Sequence, residues 1–413
     1  MSIFAARIQK PIEIYGVMLY NKPISISEAR PMDKRIEQTV QQCINEINNR
    51  IKNLNRLNIM VIGKSGVGKS TLINSLFRGN FAATGLGRPV TKDIRKIEKA
   101  DFPLTVYDTP GFELSNAQQK EVKSEILDII EKGFRTRDIN DAVHCIWYCI
   151  NVNGNRTFDE SEISWLRDFT QSPVMGNIPV MVILTQACPK SKAREMQALV
   201  EKENLDIAKV VPVLAQDMDF DGEYTAKAYG LETLVSVMSE ALAPELQDTL
   251  QNLQKVSLEA KKKRAHAVVA AAVTAAFGEG AAPVPFMDAF MLVPTQISMI
   301  ASITVIFGLD ISKSLLTSFV SSVVGTAGAT IFGRSIVGNI LKAIPGAGTV
   351  VGGAVSGATA GLITTALGES YIKIMELFYL GELKKEDIYG NKGKRLMSDI
   401  FKDSLKNLGR KKD

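Results

Sequence analysis

One stretch constrains this chain more than any other: Gly63-Lys64-Ser65-Gly66-Val67-Gly68-Lys69-Ser70-Thr71 follows the apolar run Leu57–Ile62 and opens the helical pattern Thr71-Leu72-Ile73-Asn74-Ser75-Leu76. It fits G-x-x-x-x-G-K-[ST] between a strand and a helix, the context in which that pattern cradles phosphate. The glycines let the backbone wrap closely, so that its N–H groups and the helix N-terminus face negative charge. Lys69 is then the mobile cation for the β and γ phosphates, and the Ser70 hydroxyl a ligand for Mg²⁺.

The surroundings agree with that loop. Residues 57–245 alternate short apolar runs with polar helical stretches, which indicates a parallel α/β layer structure. The spacing predicts strands at Leu57–Ile62, Ile94–Lys99, Leu104–Tyr107, Ala142–Asn151, Val180–Leu184 and Val210–Leu214. Helices are expected at Lys69–Phe77, Gln118–Gly133, Asp159–Phe169, Lys192–Glu203 and Leu231–Ala243. Asp108-Thr109-Pro110-Gly111 ends the third strand, where Asp108 can hold Mg²⁺ through water and the Gly111 N–H can sense the γ-phosphate. Gly87-Arg88-Pro89-Val90-Thr91 lies between the two motifs. Thr91 is the choice there to complete the magnesium shell, and Arg88 a candidate to stabilise the transferring phosphoryl group.

Taken together, GKSGVGKSTLINSLF, PVT and DTPGF make residues 56–245 resemble the Era-like and septin-like branch of the translation-factor-related GTPases. The resemblance implies a Ras-like, mostly parallel six-stranded sheet, binding of GTP and GDP with Mg²⁺, hydrolysis in which Lys69, Thr91 and Gly111 take part, and pairing of two copies through this domain. Two departures stand out. The base motif, Asn/Thr-Lys-x-Asp, is here Thr185-Gln186-Ala187-Cys188, so the carboxylate that takes two hydrogen bonds from guanine is missing. Thr185, Gln186 and the Ala215 N–H of Leu214-Ala215-Gln216 are the remaining base-side candidates. Phe112 stands where many relatives carry a water-orienting Gln, and a phenyl ring makes no such hydrogen bond, so slow intrinsic turnover is expected.

Beyond residue 245 the composition changes. With 413 residues, two or three domains of about 150 residues are expected. The expected order is an arm and amphipathic helix (1–55), the GTPase-like domain (56–245), a charged linker helix (246–264), an all-α Gly/Ala-rich hydrophobic domain (265–382) and a basic tail (383–413). Residues 289–309, 314–333 and 343–368 contain no Asp, Glu, Lys or Arg, and such lengths match the roughly 20 apolar residues that span a bilayer. Gly348, Gly352, Gly353, Gly357 and Gly361 would let helices approach closely. The segment Pro283–Gly368 resembles a helical domain of unknown function found fused to Era-like GTPases in bacteria.

Lys261-Lys262-Lys263-Arg264 suits anionic headgroups, which favours membrane association on the cytoplasmic side. The competing expectation is a cytoplasmic assembly GTPase that reaches a ribosome or RNA through Lys384–Lys412, or a nucleotide-binding module with little turnover. His144 and His266 are the only histidines, which argues against a His-based triad or a histidine zinc site. Cys43, Cys145, Cys149 and Cys188 have no paired spacing beyond one apolar run and read as core thiols in a reducing compartment. The start MSIFAARIQKPIEIYG lacks the apolar core and cleavage site of a secretory signal.

Overall fold

The computed structural model describes residues 34–78, 94–99, 102–110, 116–154, 158–279, 284–285, 294–309, 311–328, 354–355, 357–388 and 390–410. A six-stranded sheet runs in the order β2-β3-β1-β4-β5-β6, formed by β1 (Leu57–Ile62), β2 (Arg95–Lys99), β3 (Phe102–Asp108), β4 (Cys145–Asn151), β5 (Val180–Thr185) and β6 (Lys209–Pro212). All neighbours are parallel except β2, which is antiparallel to β3. The central strands are apolar along their whole length because both faces are covered: every residue of β1 and β5 is buried. The edge strand β2, Arg-Lys-Ile-Glu-Lys, is mostly exposed, and its charges blunt that edge.

Alternate residues of β1 serve the two layers. Leu57, Ile59 and Val61 pack with α2 (Lys69–Leu76), α6 (Leu231–Ala241) and α7 (Gln247–Leu253). Met60 and Ile62 face α3 (Asn116–Thr136), α4 (Glu160–Thr170) and α5 (Lys190–Lys202). α4 is started by Asp159, whose carboxylate accepts from the Ser161 and Glu162 N–H groups at 3.1 and 3.0 Å. After β6 a small hairpin, β7 (Met218–Phe220) and β8 (Tyr224–Ala226), turns at Asp221-Gly222.

The second core is helical and draws on both ends of the chain. Val40, Cys43 and Ile47 of α1 (Lys34–Lys52) share it with α8 (Leu258–Glu279), α9 (Pro294–Phe307), α10 (Lys313–Gly328), α11 (Gly357–Tyr379) and α12 (Gly390–Arg410). Arg50 on α1 donates to Ser298 Oγ on α9 at 2.7 Å. The sheet domain therefore lies, in sequence, between two parts of one bundle. Gly368 brings α11 against α8: a Cβ there would meet the Val269 methyls at 2.5 and 2.8 Å.

Three expectations change. The described part of the uncharged run 289–309 carries α9, a helix of 14 residues, shorter than the roughly 20 that span a bilayer. Ile297 and Met299 through Phe307 are buried against other helices, and a helix enclosed over most of its surface has little room for charge. Among the described residues no helix is long and apolar enough to cross a membrane. Gly348, Gly352 and Gly353 lie outside the described residues.

The Lys261–Arg264 cluster is not an open basic patch either. Lys261 is fully buried, Lys262 pairs with Glu376 at 3.2 Å, and Arg264 pairs with Asp248 at 2.7 Å. The region read as a basic tail contains α12, whose Met397, Phe401 and Leu405 are buried in the bundle. Its Lys402 and Lys406 pair with Asp399 and Asp403 at 3.4 and 3.6 Å.

Candidate functional site

The parallel register brings the motif residues to one edge. Val61 lies opposite Asp108, Ile62 opposite Tyr148, and Asn151 opposite Thr185, so the loops after β1, β3, β4 and β5 leave the sheet side by side. Ligands of open α/β sheets bind at this carboxyl edge.

The loop Gly63–Gly68 needs its glycines. Gly63 has φ +150° and a Cβ there would lie 2.5 Å from the Cys149 carbonyl oxygen, while Gly68, at φ +94°, is the left-handed residue that starts α2. Lys69 arches back across the loop and donates to the carbonyls of Gly63 at 2.7 Å and Lys64 at 3.2 Å. Ser70 is the second residue of α2, and Ser65 and Thr71 flank the turn half-exposed. Lys64 points away from the loop mouth to Glu162 on α4 at 2.9 Å, and Tyr148 donates to the same carboxylate at 2.9 Å. Burial raises the Glu162 carboxyl above its ordinary range against the opposing pull of Lys64.

Asp108 closes the other side. Its Oδ1 and the Thr109 Oγ1 are buried and have no hydrogen-bond partner among the described residues, although the Thr109 N–H is fixed to the Val61 carbonyl at 3.1 Å. Burial raises the Asp108 carboxyl, with Lys69 and Arg95 pulling it back down. An orphaned carboxylate oxygen beside a serine-bearing helix start is a donor set that fits a hard divalent cation, for which oxygen ligands are required. Thr91, Arg88, Gly111 and Phe112 lie outside the described residues.

The loop after β5, where the sequence places the base-side candidates, is organised around Thr185. Its side chain is buried and its Oγ1 donates to Val67 O at 2.5 Å, with Ile150 O at 3.1 Å, so this residue anchors the phosphate loop. Gln186, with φ +50°, lays its amide over the loop and donates to Gly66 O at 3.1 Å. Two residues outside the sequence motifs hold this loop. Asn153 donates through Nδ2 to the carbonyls of Gln186 at 3.0 Å and Cys188 at 2.9 Å, fixing the loop after β5. Tyr229 OH donates to Ala187 O at 2.7 Å while its backbone pairs with Leu214, which fastens the Ala215 loop to the Gln186 loop. The turn Asn151-Val152-Asn153-Gly154 was the available signal for the first; nothing local marks the second.

Residues 58–186 match the model of a family described as 50S ribosome-binding GTPase, and residues 245–409 match a domain of unknown function, DUF697. The chain joins a P-loop GTPase domain to a helical domain of unknown function. On sequence the GTPase domain is similar to neuronal-specific septin-3 of Danio rerio, 29% identical over 189 residues that cover 40% of this chain and 51% of the relative. It is also similar to septin-1 of Bos taurus, 30% identical over 191 residues that cover 40% and 50%. The chain thus spans about half the length of these relatives. Among solved structures, Era of Aquifex aeolicus bound to GDP and AlF4⁻ aligns with 17% identity and a TM-score of 0.32, covering 53% of this chain and 67% of Era. Toc33 of Arabidopsis thaliana with Mg²⁺ and GMPPNP aligns with 20% identity and a TM-score of 0.31, covering 50% and 95%.

Proposed function

We propose that the GTPase domain binds GTP and GDP with Mg²⁺ and hydrolyses GTP slowly, acting as a switch whose output is the helical domain. The observation that carries this reading is the loop Gly63–Gly68 with Lys69 folded across it, facing the orphaned Asp108 carboxylate. The loop N–H groups and the α2 N-terminus would receive the β-phosphate, and Lys69 would exchange its two loop carbonyls for phosphate oxygens. Ser70, with Asp108 through water and Thr91, would hold Mg²⁺, which neutralises charge on the β and γ oxygens when bound. Gly111 would sense the γ-phosphate, and Arg88 would stabilise the transferring group. Because Phe112 cannot orient water, turnover waits on a partner, for which a second copy meeting through the GTPase domain is our choice. Titration of the purified chain with a fluorescent GDP analogue, with and without Mg²⁺, tests the reading. Binding that ignores both Mg²⁺ and the Lys69→Ala substitution would refute it.

α9 is enclosed by other helices, whereas the sequence between α10 and α11, residues 329–356, has no charge except Arg334 and Lys342. We place contact with the cytoplasmic face of a membrane there. Flotation with anionic and neutral liposomes tests it, and full-length protein that stays at the bottom of the gradient with both refutes it. Ribosome or RNA binding through the C-terminus is the second reading; in α12 Lys402 and Lys406 are paired with Asp399 and Asp403, and salt-sensitive co-sedimentation with ribosomes tests it.

A further inference from the structure

The far end of α2 is built into the helical domain. The Arg78 N–H donates to Leu253 O at 2.8 Å and the Lys255 N–H to Leu76 O at 2.9 Å, so the chain leaving α2 runs as a short ladder against the segment joining α7 to α8. The Arg78 guanidinium donates through Nε to Asn252 O at 2.7 Å and through Nη2 to Asn252 Oδ1, and lies over the Phe102 ring. Asn252 in turn donates through Nδ2 to Val305 O, in the last turn of α9, at 2.6 Å.

The reason for this arrangement is electrostatic. The carboxyl ends of α7 and α9 meet here, so the unpaired carbonyls of two helix termini converge with like partial charge in a buried place. Two basic side chains answer them, the Lys261 amine being pulled well below its ordinary range by burial and by the neighbouring Arg78. Arg78 takes the end of α7, and Lys261, fully buried, donates to Gln251 O, to Ile306 O at 2.9 Å and to Phe307 O at 3.1 Å. Gly308 allows the close fit: a Cβ there would lie 2.3 Å from Asn252 O. Small displacements of α2 therefore cannot occur without moving a buried polar joint, because close-packed interiors transmit strain rather than absorb it.

We propose that Arg78 and Asn252 couple the nucleotide site to the bundle, so that occupancy of the loop at the start of α2 is read by α9, the central helix of the bundle, while binding itself is made by the loop. Nothing in nucleotide chemistry reaches Arg78; it acts by fixing the end of the helix whose start carries Lys69 and Ser70. The inference rests on nucleotide binding at that loop.

Hydrogen exchange of the full chain, with Mg²⁺ and with either GDP or a non-hydrolysable GTP analogue, separates the two. In the unmodified chain nucleotide should slow exchange at residues 63–71 and, by about fivefold or more, at residues 300–308. In Asn252→Ala the first effect should persist and the second disappear. Asn252→Asp keeps the acceptor for Arg78 but has no N–H for Val305, so it should uncouple α9 in the same way; it carries the test if the alanine variant does not fold. Protection at 63–71 with none at 300–308 in the unmodified chain overturns the inference and leaves nucleotide binding standing. Full coupling in both variants overturns it as well. No protection at either place would remove the binding reading and the inference with it.

Discussion

The hydroxyl of Thr185 donates to the main-chain carbonyl of Val67 at 2.5 Å, joining the end of β5 to the phosphate loop across 118 residues of sequence. Thr185→Val keeps the shape and removes the donor, leaving two buried carbonyls without it, at a cost of about 1–3 kcal/mol. Urea unfolding should show that loss, and the Kd for GDP should rise because the loop is no longer held. Thr185→Ser should restore most of both.

Asp108 sets a pH dependence with a definite sign. Its folded-state pKa lies above the ordinary 3.8, so the native chain holds this proton more tightly than the unfolded chain. Its contribution to stability without metal is then complete below 3.8 and declines as pH rises through the raised folded value. Mg²⁺ needs the carboxylate, so metal-assisted binding should weaken as pH falls through that same value. Asp108→Asn removes the buried charge: the metal-free melting midpoint should rise by about 2–4 °C while Mg²⁺ no longer tightens nucleotide binding. Calorimetry with and without Mg²⁺ reads both effects.

Gly308 has φ +65° and stands against Asn252 O. Gly308→Ala should cost about 1–3 kcal/mol through the left-handed backbone and the displaced carbonyl. Thermal melts of the variant, compared with Gly222→Ala at a glycine whose Cβ meets nothing, separate strain from contact.

On the motif resemblance, Cys188 is expected where the family carries its guanine-reading carboxylate, and its loop is held by the Asn153 amide. Cys188→Asp should tighten GTP binding by about 1.5–3 kcal/mol, the range for a hydrogen bond to a charged acceptor, and leave ATP unchanged. Competition titrations with the two nucleotides measure it.

The sheet was legible because buried parallel strands are written as unbroken apolar runs, and Leu57–Ile62 was placed to the residue. The phosphate loop was legible for a related reason: its geometry demands glycine at fixed positions, and Gly63 and Gly68 obey. The helical domain was harder. An uncharged run such as 294–307 has one composition whether lipid or protein surrounds it, so its place as a core helix was not readable from length. Lys261 shows the same limit from the other side, since a charge run reads as a solvated face and gives no sign that one member caps two helix ends. The Arg78, Asn252 and Val305 chain joins residues 174 and 53 positions apart, beyond any local pattern. The β7–β8 hairpin carries a local sequence mark, the turn pair Asp221-Gly222.

The most direct measurement is a titration of the full-length chain with GTP, GDP, ATP and XTP in the presence of Mg²⁺, repeated with Lys69→Ala and Asp108→Asn. GTP and GDP should bind and saturate, ATP should bind at least about tenfold more weakly, equivalent to 1.4 kcal/mol, and both substitutions should weaken GTP binding. Tighter binding of ATP than of GTP, or GTP binding indifferent to Lys69, would contradict it.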